Sequence, residues 1–131
     1  MVSANDTDKV YLYLNNLTLS STDAPIYVQN ADKTFLMLID GTTNTLADAS
    51  SRTTTYTKID GTPDTTNACI YSKDDLTFKG NGSLIIYGNY KNGIQSSNDI
   101  KIKDFPQVTI TATHHGIKGK GSVEIEGGNF T

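Results

Sequence analysis

Glutamate, arginine and cysteine are nearly missing from this chain, and each scarcity closes off a class of protein. The 131 residues hold two glutamates, and threonine and asparagine are plentiful. That composition opposes helix, and no segment carries apolar residues at i, i+3, i+4 and i+7 over a helical length. The single cysteine, Cys69, excludes an internal disulfide. It precedes an inward-facing isoleucine, so the expected role is a small side chain at a corner of the fold and not a reactive thiol. Cationic residues are outnumbered. The net charge of −3 and a pI near 5.1 exclude a grip on nucleic acid through bulk charge. No run approaches 18 apolar residues, so no transmembrane helix is expected. The first eight residues lack the basic-then-apolar order of a secretion signal, which a mature secreted chain has lost.

What is present is a repeat of 23 to 24 residues. Segments 68–78, 93–102 and 116–125 align, so that Ile70, Ile94 and Ile117 share one phase. Leu76, Ile100 and Val123 share the next, followed by Phe78, Ile102 and Ile125. Leu84 pairs in the same way with Val108, and Ile86 with Ile110. Apolar and polar residues alternate within each unit, the period of a half-buried strand. Gly80-Asn-Gly82, Gly88-Asn89, Asn92-Gly93 and Gly127-Gly128 supply turns between the strands. A fixed period in this range marks a solenoid, whose units cannot bury an apolar face alone. Two or three short strands per unit make a parallel β-helix. A leucine-rich repeat would need a Leu-x-x-Leu-x-Leu frame that is absent.

The expectation is therefore an all-β parallel β-helix of about five coils, a single domain over residues 1–131 with uncapped ends. An irregular insertion interrupts it at about 47–67, either a binding element or decoration. The first half is less regular: Val10, Leu12 and Leu14 alternate with Tyr11 and Tyr13, and 34–39 is a strand of unassigned register. The chain opens directly into a strand and stops just after a turn, with no amphipathic segment over either end. It is expected to be part of a longer solenoid, or a protomer whose open edges associate end to end with neighbours.

At Asp40-Gly-Thr-Thr-Asn-Thr-Leu46, in 68–76 and at Gly116-Ile-Lys-Gly-Lys120, the chain resembles the secreted bacterial carbohydrate-binding β-helix family. Residues 6–14 and 27–33 extend the likeness. The resemblance implies a right-handed β-helix related in architecture to pectate lyases. It also implies an extracellular or cell-surface location, structural calcium, and plant-type polysaccharide ligands such as cellulose and acidic pectin. Asn92 and His115 stand where that family usually places an acidic residue before Gly-Ile.

Residues of equal phase stack into outward ladders. Tyr27, Tyr71, Gln95 and Lys118 each follow an inward isoleucine, and two tyrosines beside an amide and an ammonium can face a sugar chain. Thr77, Lys101 and Glu124 form a second column; Lys79, Lys103 and Glu126 form a third. Together with Lys73 and Lys120, these lysines give the second half a local basic character suited to uronate carboxylates, or else they guard strand edges. Asp74, Asp75 and Asp99, with Asn98, are the calcium candidates, and Asp48, Asp60 and Asp64 on the insertion could complete an oxygen shell. The same aspartates also suit turns. His114 and His115 are adjacent, so their side chains tend to point apart and make a poor metal pair.

Three functions follow from this sequence. The first is a non-catalytic module for polysaccharide. The second is a structural, self-stacking solenoid of an adhesin or filament. The third is a polysaccharide lyase, which needs a base and a cation beside the substrate carboxylate. Arg52, the one arginine, sits in the insertion away from the aspartate column, so a non-enzymatic role is expected.

Overall fold

The computed structural model describes residues 2–52, 56–57, 61, 63–104 and 106–131. Among these residues there is no helix, and fifteen strands form three parallel five-stranded sheets. Sheet one holds Val2–Ser3, Ile26–Asn30, Ala68–Ser72, Asn92–Ser96 and Ile117–Gly119. Sheet two holds Lys9–Leu14, Lys33–Leu38, Asp75–Lys79, Ile100–Ile102 and Val123–Ile125. Sheet three holds Thr18–Ser20, Thr43–Ala47, Ser83–Gly88, Gln107–Ala112 and Asn129–Phe130. The chain visits the sheets in the order one, two, three, and repeats that circuit five times. Each strand pairs with its counterpart in the next circuit.

Register follows the apolar columns. Ile26 lies opposite Ile70, Ile70 opposite Ile94, and Ile94 opposite Ile117. Leu36, Phe78 and Ile102 align in sheet two, as do Leu46, Ile86 and Ile110 in sheet three. Val28, Leu36, Leu46, Ile70, Leu76, Leu84, Ile86, Ile94 and Ile100 have no exposed surface, so the three sheets enclose one apolar core. Each such side chain contributes about 1.5–3 kcal/mol through removal from water. Segment 34–39, unassigned from sequence, falls into sheet two with Lys33 opposite Lys9 and Asp75.

The corner between sheets two and three contains a left-handed residue in all five circuits, at equivalent positions in the third and fourth. One residue in each circuit adopts positive φ there: Asn16 (57°), Gly41 (76°), Gly80 (96°), Asp104 (64°) and Gly128 (107°). Only glycine, and at a cost asparagine or aspartate, takes this left-handed conformation readily. At Gly80 a side chain would also run into the carbonyl of Leu38. Carboxylates and amides clamp these corners together. Gly80 N–H donates to Asp104 Oδ2 at 2.8 Å, Asn81 N–H to Asp40 Oδ1 at 3.0 Å, and Thr43 N–H to Asn16 Oδ1 at 3.0 Å.

Polar residues also occupy inward positions, Asn44 and Thr34 among them. Asn44, opposite Leu84, is fully buried; its Oδ1 accepts from Leu17 N–H at 2.9 Å, and its Nδ2 donates to Thr42 Oγ1 and the Ser83 carbonyl. Thr34, opposite Val10 and Leu76, is equally buried, and its hydroxyl has no hydrogen-bond partner.

The insertion begins at Asp48, since Ala47 still belongs to sheet three. It contains a short antiparallel pair, Tyr56–Thr57 with Pro63–Asp64, and it is anchored by a buried ion pair. Arg52 Nη2 lies 2.8 Å from Asp48 Oδ2, with side chains 1% and 0% exposed. Arg52 also donates to the carbonyls of Thr66 and Ala68, and its guanidinium sits 4.5 Å from the centre of the Tyr90 ring. Asp48 Oδ1 accepts from Asn89 N–H at 2.6 Å. The ion pair thus ties the insertion to sheet one of the third circuit and to the corner of the fourth.

Two stability outcomes follow. Thr34→Val removes an unsatisfied buried hydroxyl and raises the unfolding free energy measured in urea by about 1–3 kcal/mol, whereas Leu76→Ala in the same column lowers it by about 2–5 kcal/mol. A destabilised Thr34→Val protein would contradict the burial described. Arg52→Met strands a buried carboxylate and costs about 3–5 kcal/mol, while the double change with Asp48→Leu recovers much of that loss; a loss in the double variant equal to that of Arg52→Met would deny the pairing.

Candidate functional site

Strand alternation sends every second residue of sheet two to the outside. One outward column runs Tyr11, Phe35, Thr77, Lys101, Glu124, each residue opposite the next. A second begins Tyr13, Met37, Lys79. In the first column the Tyr11 and Phe35 rings are 4.6 Å apart and 8° from parallel. That separation matches the strand spacing, so the rings stand upright and stack along the axis of the molecule. Tyr11 is 51% exposed and Tyr13 64%, large values for aromatic side chains.

Beyond Phe35 the column drops to the small Thr77 and rises again at Lys101. A groove of about 210 Å³ opens there, lined by Lys33, Phe35, Asp75, Leu76, Thr77, Asp99, Lys101 and Lys103. Lys79 Nζ lies 5.9 Å from the centre of the Phe35 ring, at the outer reach of a cation–π contact. Lys101 Nζ approaches Glu124 to 3.5 Å, an exposed pair that holds the lysine weakly. This face therefore combines aromatic surface with ammonium donors and carboxylate acceptors.

Sequence reasoning placed the sugar platform on sheet one. Its column is in register as expected: Tyr27 opposite Tyr71, Tyr71 opposite Gln95, Gln95 opposite Lys118. The rings, however, are not available. Tyr71 is 4% exposed, and Tyr27, half-buried, lies 5.8 Å from it at a 56° tilt. Burial, and then the neighbouring Tyr71, push the Tyr27 phenol above its usual range. Gln95 Oε1 accepts from Asn92 Nδ2 at 2.7 Å. Lys73 is partly exposed at the corner towards sheet two, and Lys118 is exposed at the far end. Of the six sugar candidates, Lys101 alone lines the groove. Tyr11 and Phe35 are not among those candidates because the long insertion hid the register of circuits one and two. The alternation of 10–14 was the available clue.

The calcium candidates separate. Asp48 is buried against Arg52 and is not available as a ligand, a correction to the proposed set. Asp74, Asp75, Asn98 and Asp99 gather at the corner between sheets one and two. There Asp74 Oδ2 accepts from Ala31 N–H at 3.0 Å in the circuit before, and Asp75 Oδ1 from Asp99 N–H at 3.2 Å in the circuit after. These carboxylates join circuits together, the turn role that the sequence also allowed. Among the described residues, no three His, Cys, Asp or Glu side chains form a group that could hold a metal ion. Asp60 lies outside the described residues, and of Asp64 only the backbone is described. Cys69 is fully buried in the core, and its thiol is pushed up to about 12 by burial and then by Asp48, with Arg52 opposing, so it is not a nucleophile. His114 and His115 are exposed.

The chain is similar to known proteins in both sequence and fold. A solved structure described as the polysaccharide lyase-like protein from C. thermocellum, in a gadolinium derivative, superposes with a TM-score of 0.76 at 34% identity. The match covers 96% of this chain and 61% of that one. A carbohydrate-binding domain-containing protein of Acetivibrio thermocellus is 45% identical over 92 residues, 70% of this chain. The match spans 31% of that relative's length. The family description "Carbohydrate-binding domain-containing protein" matches residues 1–131, and the chain belongs to that family.

Proposed function

We propose that the outer face of sheet two binds polysaccharide, and that the chain does so without cleaving it, as an extracellular or cell-surface module. The exposed Tyr11 and Tyr13 and the upright Tyr11–Phe35 stack, beside a lysine-rimmed groove, are the observation that carries this reading. Aromatic faces cover the C–H surface of a sugar, while ammonium and carboxylate groups hydrogen-bond its hydroxyls. The cyclic visit to three parallel sheets supports a right-handed parallel β-helix, because crossovers between parallel strands are almost always right-handed.

Lys33, Lys79, Lys101 and Lys103 favour an acidic plant cell-wall polymer, such as polygalacturonate, over a neutral one. Asp75 and Asp99, on the rim of the same groove, are the carboxylates that a calcium ion shared with a uronate polymer would meet. Those two side chains leave the rest of a coordination shell to the polymer.

A lyase reading draws on the description of the structural neighbour, whose printed name is polysaccharide lyase-like. Against it stands Arg52, which is buried in an ion pair and cannot face a substrate. The structural reading, a self-stacking solenoid, keeps the unpaired strand edges of the first and fifth circuits as its basis.

Affinity electrophoresis through gels containing polygalacturonate or hydroxyethyl cellulose, with calcium or chelator, tests the binding surface. Retardation is expected, stronger in polygalacturonate, and Tyr11→Ala with Tyr13→Ala weakens it by about tenfold, roughly 1.4 kcal/mol. Unaltered retardation in that double variant would take Tyr11 and Tyr13 out of the binding surface. Incubation with polygalacturonate and calcium is expected to release no unsaturated product absorbing in the ultraviolet. A steady rise proportional to protein would restore the lyase.

A further inference from the structure

The groove on sheet two has walls as well as a floor, and the walls limit what can enter. Thr77, on the third circuit, forms the floor. Phe35 stands on the second circuit and Lys101 on the fourth, opposite Thr77 on either side. Tyr11 covers one face of Phe35; the other is turned towards Thr77 and lines the groove, and Lys79 Nζ stands over the ring, 5.9 Å from its centre. Two strand spacings separate Phe35 from Lys101, about 9–10 Å. Contact distances of about 3.5–4 Å on each side leave room for one ring between them and not for two. The volume of about 210 Å³ leads to the same result, since it falls below the range of roughly 300–1,000 Å³ typical of sites for drug-sized ligands.

A glycan chain laid along the axis of the molecule would meet the Tyr11–Phe35 stack as a barrier. We infer that the groove accepts a single sugar ring inserted edge-on between Phe35 and Lys101, the terminal or branch residue of a glycan, and not the interior of a linear chain. The inference rests on the polysaccharide reading above and narrows it. One ring face lies on Phe35, where C–H groups meet the aromatic surface. The opposite face meets the Lys101 ammonium. Asp75, Asp99 and Lys33 line the corner side of the groove, and Lys103 lies towards sheet three, so acceptors and donors both border the ring's hydroxyl or carboxylate substituents.

Because one ring fills the slot, affinity is set by the end residue and not by chain length. Titration calorimetry with galacturonate and its di-, tri- and hexamer, and with glucose and the matching cello-oligosaccharides, reads this directly. One of the two series is expected to reach its full affinity by the dimer, with less than about threefold further gain to the hexamer. Thr77→Phe fills the floor and is expected to lower that affinity by about tenfold or more. Phe35→Ala removes one wall with a similar loss and serves as the second variant should Thr77→Phe not fold; Phe35→Tyr restores binding. Tyr87→Ala, on the outer face of sheet three, is the control and leaves affinity unchanged. Affinity that climbs with every added unit, insensitive to Thr77→Phe and Phe35→Ala, would overturn the slot while leaving polysaccharide binding intact. No binding of either series or of either polymer would overturn both.

Discussion

Everything in this structure depends on stacking like residues on like at the strand spacing. A parallel strand offers its neighbour the same phase at each position, so an inward isoleucine in one circuit meets an inward residue above it, apolar at most positions. Ile26, Ile70, Ile94 and Ile117 form one such pile, and Leu36, Phe78 and Ile102 another. A slip of one residue would turn the whole pile outward. The left-handed corner in every circuit, filled by glycine, asparagine or aspartate, keeps the phase from drifting between sheets two and three. The side-chain clamps of Asn16, Asp40 and Asp104 fix adjacent corners to one another.

The same constraint makes the outer surface a set of columns, and so gives function a geometry. An exposed aromatic on one strand has its partner one strand spacing away, which is how Tyr11 and Phe35 come to stand as stacked upright rings. A small residue in such a column makes a gap with walls, as Thr77 does between Phe35 and Lys101. Charge is distributed unevenly among the sheets. The strand-borne lysines concentrate on sheet two, while the outward residues of the sheet-three strands, among them Thr18, Thr45, Tyr87, Thr109 and Thr111, carry none. The proposed recognition through ammonium groups is therefore placed on sheet two.

Much of this was legible in the sequence where the repeat is uninterrupted. From Ala68 onwards the repeat assigned the register correctly, including the Thr77–Lys101–Glu124 column and the adjacency of Asp75 and Asp99. Cys69, expected as a small side chain at a corner, is instead fully buried in the apolar core, although alternation beside inward Ile70 would send it outward. The first two circuits were harder to read because the insertion breaks the period, and with it the link between Phe35 and Thr77. The site was therefore placed one sheet away from the exposed aromatics. Tyr27 and Tyr71 show a second limit: period two tells which way a side chain points, but not whether other parts of the chain cover it. Asp48 shows a third, since its partner Arg52 lies within a segment without periodicity.

Mapping the contact surface with the polymer bound tests the central claim most directly. Backbone amide shifts in a protein titrated with galacturonate and cello-oligosaccharides should move in Lys9–Leu14, Lys33–Leu38, Asp75–Lys79 and Ile100–Ile102, largest at Phe35 and Thr77. Sheet three should remain unperturbed. Shifts confined to sheet one or sheet three, with sheet two silent, would contradict the assignment.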